Sequence, residues 1–320
     1  MPLDRIVHAE VWATQDISAD LPPMVEFKAK ADKIIKERYG IQVEHISATK
    51  KNGGGCSPTK ICCTNGCQAE SLKELQGGSR LQETLGAENL KPTKLTYEDI
   101  FYRQRQPRGG GVYQTYGFPM RTGQWCNSML KVGALNAAKR LRVCKQMEPV
   151  LHRGTQKATA KEFLQSPSTK GGIKIVQYLG IAADEPERIE RHQKREGIML
   201  PLVMAGWDEA YCRKWCEERD LLSPIYTTAT RGGCWFCHNQ GVDQMRLLRK
   251  NYPNLWAILM KWDLDSPTTF KADGHTVHDY DKRFEMEDKG LIKEDEPFKW
   301  VYLEKPPTRQ ISIWDYLSQC

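Results

Sequence analysis

The chain has 320 residues, of which 40% are hydrophobic, and its formal net charge is +7. This length and composition allow one large α/β domain, or one domain with a small appendage. No transmembrane helix is expected, because no apolar run reaches about 18 residues. The start lacks the basic-then-apolar pattern of a secretory signal, so we expect a cytoplasmic protein. In that compartment the 11 cysteines favour free thiols or metal ligands over disulfides.

The first elements along the chain predict a strand–helix–strand unit. A short buried strand is expected over 5–9. Pro22 and Pro23 suit the first turn of a helix, and Gly40 suits its end. Residues 41–47 alternate in polarity and predict a second strand. Elements of these lengths form a βαβ unit, in which the two strands are parallel.

The middle of the chain alternates irregular segments with helices. A Cys-rich insertion is predicted at about 50–78, because Gly, Cys and Lys dominate there and the apolar periodicity is lost. Helices are expected over 95–102 and from about 127 to 142, separated by a basic, glycine-rich loop at 104–111. Residues 145–172 are expected to be irregular.

The second half returns to alternating strands and helices. A strand is predicted over 173–179, a charged helix begins at Pro186, and another strand is expected over 199–203. Asp208 is a helix N-cap, because its carboxylate can accept hydrogen bonds from free backbone amides. The remaining predicted elements are helices at 242–251 and 253–263, which meet at Pro253, and late strands at 298–303 and 310–314.

This order of elements predicts an α/β fold with a doubly wound parallel sheet covered on both faces. We expect one α/β domain over 1–262 and a small C-terminal extension over 263–320. In such sheets ligands bind at the carboxyl ends of the strands. The segments that follow Ala9, Ser47 and Leu179 are therefore the first places to look for a site.

Four segments together resemble the phosphoadenosine phosphosulfate (PAPS) reductase-like family of the adenine-nucleotide α-hydrolase, or PP-loop, superfamily. The resemblance is greatest to members from phages and other mobile elements, and it covers roughly residues 2–262. It implies a doubly wound sheet that binds an adenine nucleotide, ATP or PAPS. The segments that carry it are 2–7, 116–131 with Tyr-Gly-Phe-Pro-Met and Trp-Cys-Asn-Ser, 178–188 with Leu-Gly-Ile-Ala-Ala-Asp-Glu-Pro, and 231–240 with Cys-Trp-Phe-Cys-His.

The family's phosphate-binding loop, Ser-Gly-Gly-Lys-Asp-Ser, does not occur in this sequence. The chain starts where the second strand of the family begins. Loss of a central strand would remove ladder partners and core contacts from its neighbours. We therefore expect Met1 to be an internal methionine of a longer protein; the alternative is a degenerate member with a repaired sheet.

The cysteines of the 231–240 segment predict a metal or cluster site. Cys234 and Cys237 are separated by two residues, so both sulfurs can reach one ion from a single turn. Related reductases hold an iron–sulfur cluster with a Cys-Cys pair and a Cys-X-X-Cys pair, whereas the first pair here is reduced to Cys126. Three thiolates could hold a cluster with one open iron. The alternatives are three metal-free thiols, or a zinc ion completed by His238, Cys212 or Cys216.

The resemblance assigns nucleotide binding to a second set of residues. Arginine suits phosphate because its planar guanidinium bonds two oxygens at once. For Arg188, a surface salt bridge with its acidic neighbours is an equally open interpretation. Glu10 matches a position that is usually Asp, where it would meet adenosine or a metal, or else cap the next turn. The full set of expected nucleotide-binding residues is Glu10, Lys131, Gly180, Asp184, Arg188 and Arg231.

These expectations predict a PAPS reductase-like enzyme of sulfur metabolism that acts on ATP or PAPS through a cysteine-bound iron–sulfur or zinc centre. The Glu-Cys-Gly-Leu-His segment that carries the nucleophile of true PAPS reductases does not occur, so no catalytic residue is named. One alternative is a nucleic-acid sulfur-modification enzyme of the DNA phosphorothioation or tRNA thiolation type, with DNA or tRNA as partner. The other is a non-catalytic nucleotide-binding relative.

Overall fold

A computed structural model describes residues 5–50, 94–105, 111–119, 124–138, 175–227 and 232–296. Within these ranges the chain is a mixed α/β protein with small parallel sheets, which confirms the predicted class at that level. The described helices include none that is both long and apolar enough to cross a bilayer. Predictions that lie outside the described residues concern 51–78 of the Cys-rich insertion, 106–110 of the glycine-rich loop, the irregular segment 145–172, and the late strands 298–303 and 310–314.

The N-terminal βαβ unit is confirmed. Strand β1 (Ile6–Glu10), helix α1 (Pro22–Tyr39) and strand β2 (Val43–Ser47) follow one another, and the two strands pair in parallel. Pro22 opens the helix because its missing N–H has no helical partner at that position. Gly40 ends the helix with a φ of 68°, and its N–H donates to the Lys36 carbonyl.

Two helices and a small ribbon follow. Helix α2 (Tyr97–Phe101) is fixed by a reciprocal cap between Thr96 and Asp99. The ribbon pairs β3 (Gln104–Arg105) with β4 (Gln114–Thr115) in antiparallel fashion. Helix α3 begins as a π-helix (Cys126–Val132) and continues with α-helical geometry to residue 138, the last described residue of this range.

A second parallel pair lies further along the chain, between β5 (Gln177–Tyr178) and β6 (Ile198–Met199), with helix α4 (Pro186–Gln193) between them. The strand predicted over 199–203 is wrong, because β6 ends at Met199 and helix α5 (Pro201–Met204) follows at once. Pro201 explains the difference, since its ring removes a ladder donor and favours the first turn of a helix.

The remaining helices form the C-terminal part of the described chain. Asp208 caps helix α6 (Glu209–Glu217) as predicted, accepting the Tyr211 N–H at 2.7 Å. Helices α7 (Val242–Asn251) and α8 (Pro253–Asp265) are also confirmed. Helix α9 (Val277–Asp288) was not predicted, because its many charged residues hide a short apolar stripe.

One hydrophobic core joins the segment after β1, helices α2 and α3, the Cys234 turn and helices α7 to α9. Trp235 and Trp262 stack in its centre, with ring centroids 5.6 Å apart and planes tilted by 14°. The boundary predicted at residue 262 falls inside α8. Val277 and Phe284, from the expected extension, are buried in the same core, so the described part of that extension packs as an integral layer. The doubly wound sheet that would unite the described strand pairs stays a prediction.

Candidate cysteine centre

A cavity of about 240 Å³ lies where the Cys234 turn meets helix α3 and the segment after β1. All four predicted metal-ligating residues line it, and so does Lys131. The structure therefore brings together half of the predicted site residues from two distant stretches of sequence. The lining residues used below are Val11, Tyr97, Cys126, Lys131, Cys234, Cys237, His238 and Gln240.

The π-helical geometry of α3 explains how Cys126 and Lys131 reach the same cavity. On an ideal α-helix, residues five apart point about 140° away from each other. A π-helix closes its hydrogen bonds between residues i and i+5, which brings residues five apart to the same side of the helix. Cys126 and Lys131 stand at this separation within the π-helical segment and both line the cavity.

The Cys234 turn is held by short backbone and side-chain hydrogen bonds. The Cys237 N–H donates to the Cys234 carbonyl at 3.0 Å, and the Gln240 side-chain amide donates to the same carbonyl at 2.7 Å. Gly233 adopts a φ of 151°, a conformation that residues with a Cβ avoid. At Gly232 a Cβ would lie 3.0 Å from the Tyr226 hydroxyl oxygen.

The two residues between the cysteines anchor the turn in the core. Trp235 donates its backbone N–H to the Ala19 carbonyl and its indole N–H to the Ser18 carbonyl, both at 2.9 Å. Trp235 and Phe236 are almost fully buried. Because these side chains fill the core, the turn is fixed against the segment after β1 with Cys234 and Cys237 at the cavity wall.

Tyr97 also lines the cavity and was not predicted. Its ring centroid lies 4.2 Å from that of Phe236 and 4.7 Å from that of Trp125. Tyr97 therefore contacts both cysteine-bearing segments. Burial raises the pKa of the Tyr97 hydroxyl, and the nearby cysteines raise it further. No local sequence signal identifies this residue, because its neighbours come from three separate segments.

Lys271 supports the turn from outside the cavity and was also missed. Its half-buried ammonium group donates to the carbonyls of His238, at 2.7 Å, and Gln240. Burial lowers the pKa of Lys271, while the nearby Cys237 opposes that shift. This residue belongs to the predicted C-terminal extension, so the sequence offered no reason to connect it with the cysteines.

Two of the cavity thiols, Cys126 and Cys234, are poor nucleophiles by themselves. Burial raises the pKa of Cys234 to about 12, although Lys131 acts in the opposite direction. Burial and the neighbouring Cys237 also raise the pKa of Cys126. A thiol with a raised pKa is protonated at neutral pH and reacts slowly, whereas a bound cation would stabilise the thiolate.

The predicted nucleotide residues of the 178–188 segment form a separate cluster after β5. Asp184 accepts the backbone N–H of Glu209 at 3.2 Å, at the start of α6. Arg188 forms an ion pair with Glu185, which agrees with the salt-bridge interpretation of this residue. Gly180, Asp184 and Arg188 are not among the residues that line the cavity. Arg231 lies outside the described residues.

Glu10 ends β1 and faces α1 rather than the cavity. Its carboxylate oxygen Oε1 lies 3.1 Å from His45 Nδ1 and 3.8 Å from Lys28 Nζ. Among the described residues, His8, Glu10 and His45 are the only three His, Cys, Asp or Glu residues whose ligand atoms all lie within 4.8 Å of one another. Cys212 and Cys216, on α6, do not line the cavity.

Comparisons with protein-family models, with curated proteins and with solved structures found no match to this chain.

Proposed function

We propose that this protein is a PAPS reductase-like enzyme of sulfur metabolism that acts on ATP or PAPS beside a cysteine-bound iron–sulfur centre. One observation carries the proposal: Cys126, Cys234 and Cys237, from two distant segments, line a single cavity together with Lys131. Unrelated cysteines have no reason to converge on one cavity with a cationic side chain.

The residues present fit a cluster better than a single zinc ion. Tetrahedral zinc with Zn–S bonds of about 2.3 Å needs sulfurs about 3.8 Å apart. Cys126, Cys234 and Cys237 do not form a trio with sulfurs within 4.8 Å of one another. A cluster places several irons between its cysteines and so accepts wider spacing. When bound, it would supply redox or sulfur-carrier chemistry.

Lys131 is the residue that we expect to bind the anionic part of the substrate. Its ammonium group offers three donors to phosphate or sulfate oxygens, and buried surroundings strengthen such charge-assisted hydrogen bonds. Val11, the first residue after β1, lines the same cavity. This position supports nucleotide binding there, because ligands of α/β sheets lie at the carboxyl ends of strands.

The first test is the metal content of anaerobically purified protein. We expect iron and acid-labile sulfide in the wild type, and loss of both in Cys126→Ala and Cys234→Ala, because each variant removes one cluster ligand. Cys212→Ala is the matched control, since this cysteine lies outside the cavity, and it should keep full occupancy. Zinc alone, or no metal in the wild type, would overturn the proposed centre.

The second test measures nucleotide binding by calorimetric titration with ATP and with PAPS. Lys131→Met should weaken binding about 10- to 100-fold, since a hydrogen bond to a charged group contributes about 1.5–3 kcal/mol. Lys214→Met, an exposed lysine on α6, should bind as the wild type does. Salt-sensitive binding to DNA or tRNA without nucleotide binding would contradict the proposal and favour the nucleic-acid alternative.

A further inference from the structure

We propose a second site, separate from the cysteine centre, in which His8, Glu10 and His45 bind a divalent transition-metal ion. The ligand atoms of these three residues all lie within 4.8 Å of one another. His8 and His45 are the middle residues of β1 and β2, Glu10 is the last residue of β1, and all three lie on the face that α1 covers. Two imidazoles and one carboxylate form a ligand set suited to zinc, iron, cobalt or nickel rather than to magnesium or calcium.

The backbone register places the three side chains together. His8 is directly opposite His45 in the parallel pair, so both side chains leave the same face of the sheet. Glu10 stands two residues after His8 and therefore shares that face. The imidazole rings meet edge to face with centroids 5.4 Å apart. These donors are thus held by two adjacent strands, which makes the site preorganised.

Asp32, on helix α1, orients His45 in the manner of an outer-shell metal-site residue. Its carboxylate lies 2.6 Å from His45 Nε2, and the opposite nitrogen, Nδ1, lies 3.1 Å from Glu10 Oε1. If Asp32 accepts the Nε2 proton, the Nδ1 lone pair faces a carboxylate oxygen. Two acceptors at this distance need a shared proton or a metal ion between them, and 3.1 Å suits two ligand atoms of one ion. A carboxylate–histidine–metal arrangement satisfies all these atoms.

His8 provides an independent observation. Its Nδ1 is buried and has no hydrogen-bond partner in the described part of the chain. A buried ring nitrogen without a partner is costly, because it has lost its bond to water. Coordination of a metal ion by the His8 imidazole would give the ring the polar partner that it lacks.

The surrounding charges also favour a cation. The acidic groups near the site are Glu10, Asp32 and Asp20, the last of which shares Lys28 with Glu10. Lys28 lies closer to Asp20, at 2.8 Å, than to Glu10, at 3.8 Å. Three carboxylates against one ammonium leave excess negative charge, which a divalent ion would neutralise.

Cobalt(II) titration of the full chain tests this site without relying on the cysteine centre. A nitrogen–oxygen site gives weak visible ligand-field bands, whereas cysteine-bound cobalt adds strong thiolate charge-transfer bands. We expect one cobalt equivalent without thiolate bands, and its retention in Cys234→Ala. His45→Gln should weaken this binding at least 100-fold, and Asp32→Asn about 10- to 100-fold. His192→Gln, on α4, is the control and should bind as the wild type does.

The experiment stays decisive if His45→Gln fails to fold. Glu10→Gln keeps the size of the side chain and removes only the charged ligand, so a folded Glu10→Gln chain that loses cobalt supports the site. Unchanged cobalt affinity in Glu10→Gln and in Asp32→Asn would overturn it, as would a wild type that binds cobalt only through thiolates. If the cysteine centre holds no iron, any cobalt bound there adds thiolate bands that Cys234→Ala removes, so the two proposals can fail separately.

Discussion

At the scale of single residues, Gly117 shows how closely the site segments approach the C-terminal helices. It adopts a φ of 64°, in the left-handed region that glycine favours. A Cβ at this position would lie 2.5 Å from Ser266 Oγ and 2.6 Å from Pro267 Cδ. The Phe118 N–H donates to the same Ser266 oxygen at 3.2 Å. The glycine is therefore required twice, by its conformation and by the lack of space.

Gly117→Ala should lower the free energy of unfolding by about 3 kcal/mol. The left-handed conformation alone costs a residue with a Cβ about 1–2 kcal/mol, and overpacking adds a further 1–3 kcal/mol. Gly290→Ala separates the two contributions, because Gly290 has a φ of 66° but no atom within 4 Å of its Cβ position. We expect that control to lose only about 1 kcal/mol. If urea denaturation gives equal losses of unfolding free energy for the two variants, the contact with Ser266 adds no steric cost.

At the scale of elements, single residues in the sequence predict where several helices begin and end. Pro22 and Gly40 mark the ends of α1, and Asp208 marks the start of α6, because proline, glycine and capping side chains act on backbone groups within a few residues. The 199–203 prediction failed because Pro201 lies inside this apolar run, where it removes a ladder donor and favours the first turn of a helix. Helix α9 carried a capping box at Thr276 and Asp279, which a search for that pattern would have found.

The candidate site was predictable only in part. The sequence identifies Cys126, Cys234 and Cys237 by residue type and spacing, and the structure places them around one cavity. Tyr97 and Lys271 could not be predicted, because their contacts to the turn depend on tertiary packing between segments far apart in sequence. The His8–Glu10–His45 group lies between these cases. Once β1 and β2 are known to be parallel, strand periodicity and register bring its members to one face.

At the scale of the whole molecule, buried ion pairs fix helix α9 onto the rest of the core. Arg246, on α7, donates two hydrogen bonds to Glu287, at 2.6 and 3.0 Å, and Arg283 donates one at 2.8 Å. The Glu287 side chain is only 6% exposed, so these bonds are largely shielded from water. Burial alone would raise the pKa of Glu287, but the two arginines outweigh it and the net shift is downward.

This shift predicts how stability depends on pH. A carboxylate whose pKa is lower in the folded state stabilises the protein above its unfolded pKa of about 4.3, and that contribution is lost as pH falls. Glu287→Gln should cost about 3 kcal/mol at pH 7, because the buried arginines lose their counter-charge, and less at pH 3, where protonation begins to remove the same charge from the wild type. Glu285→Gln, an exposed partner of Lys289 on the same helix, should change stability by less than about 0.5 kcal/mol at either pH. Guanidinium unfolding from pH 7 to pH 3 measures this difference. If the wild type and Glu287→Gln lose stability in parallel over that range, the protonation of Glu287 does not account for the loss. Other carboxylates would then be responsible for the acid sensitivity.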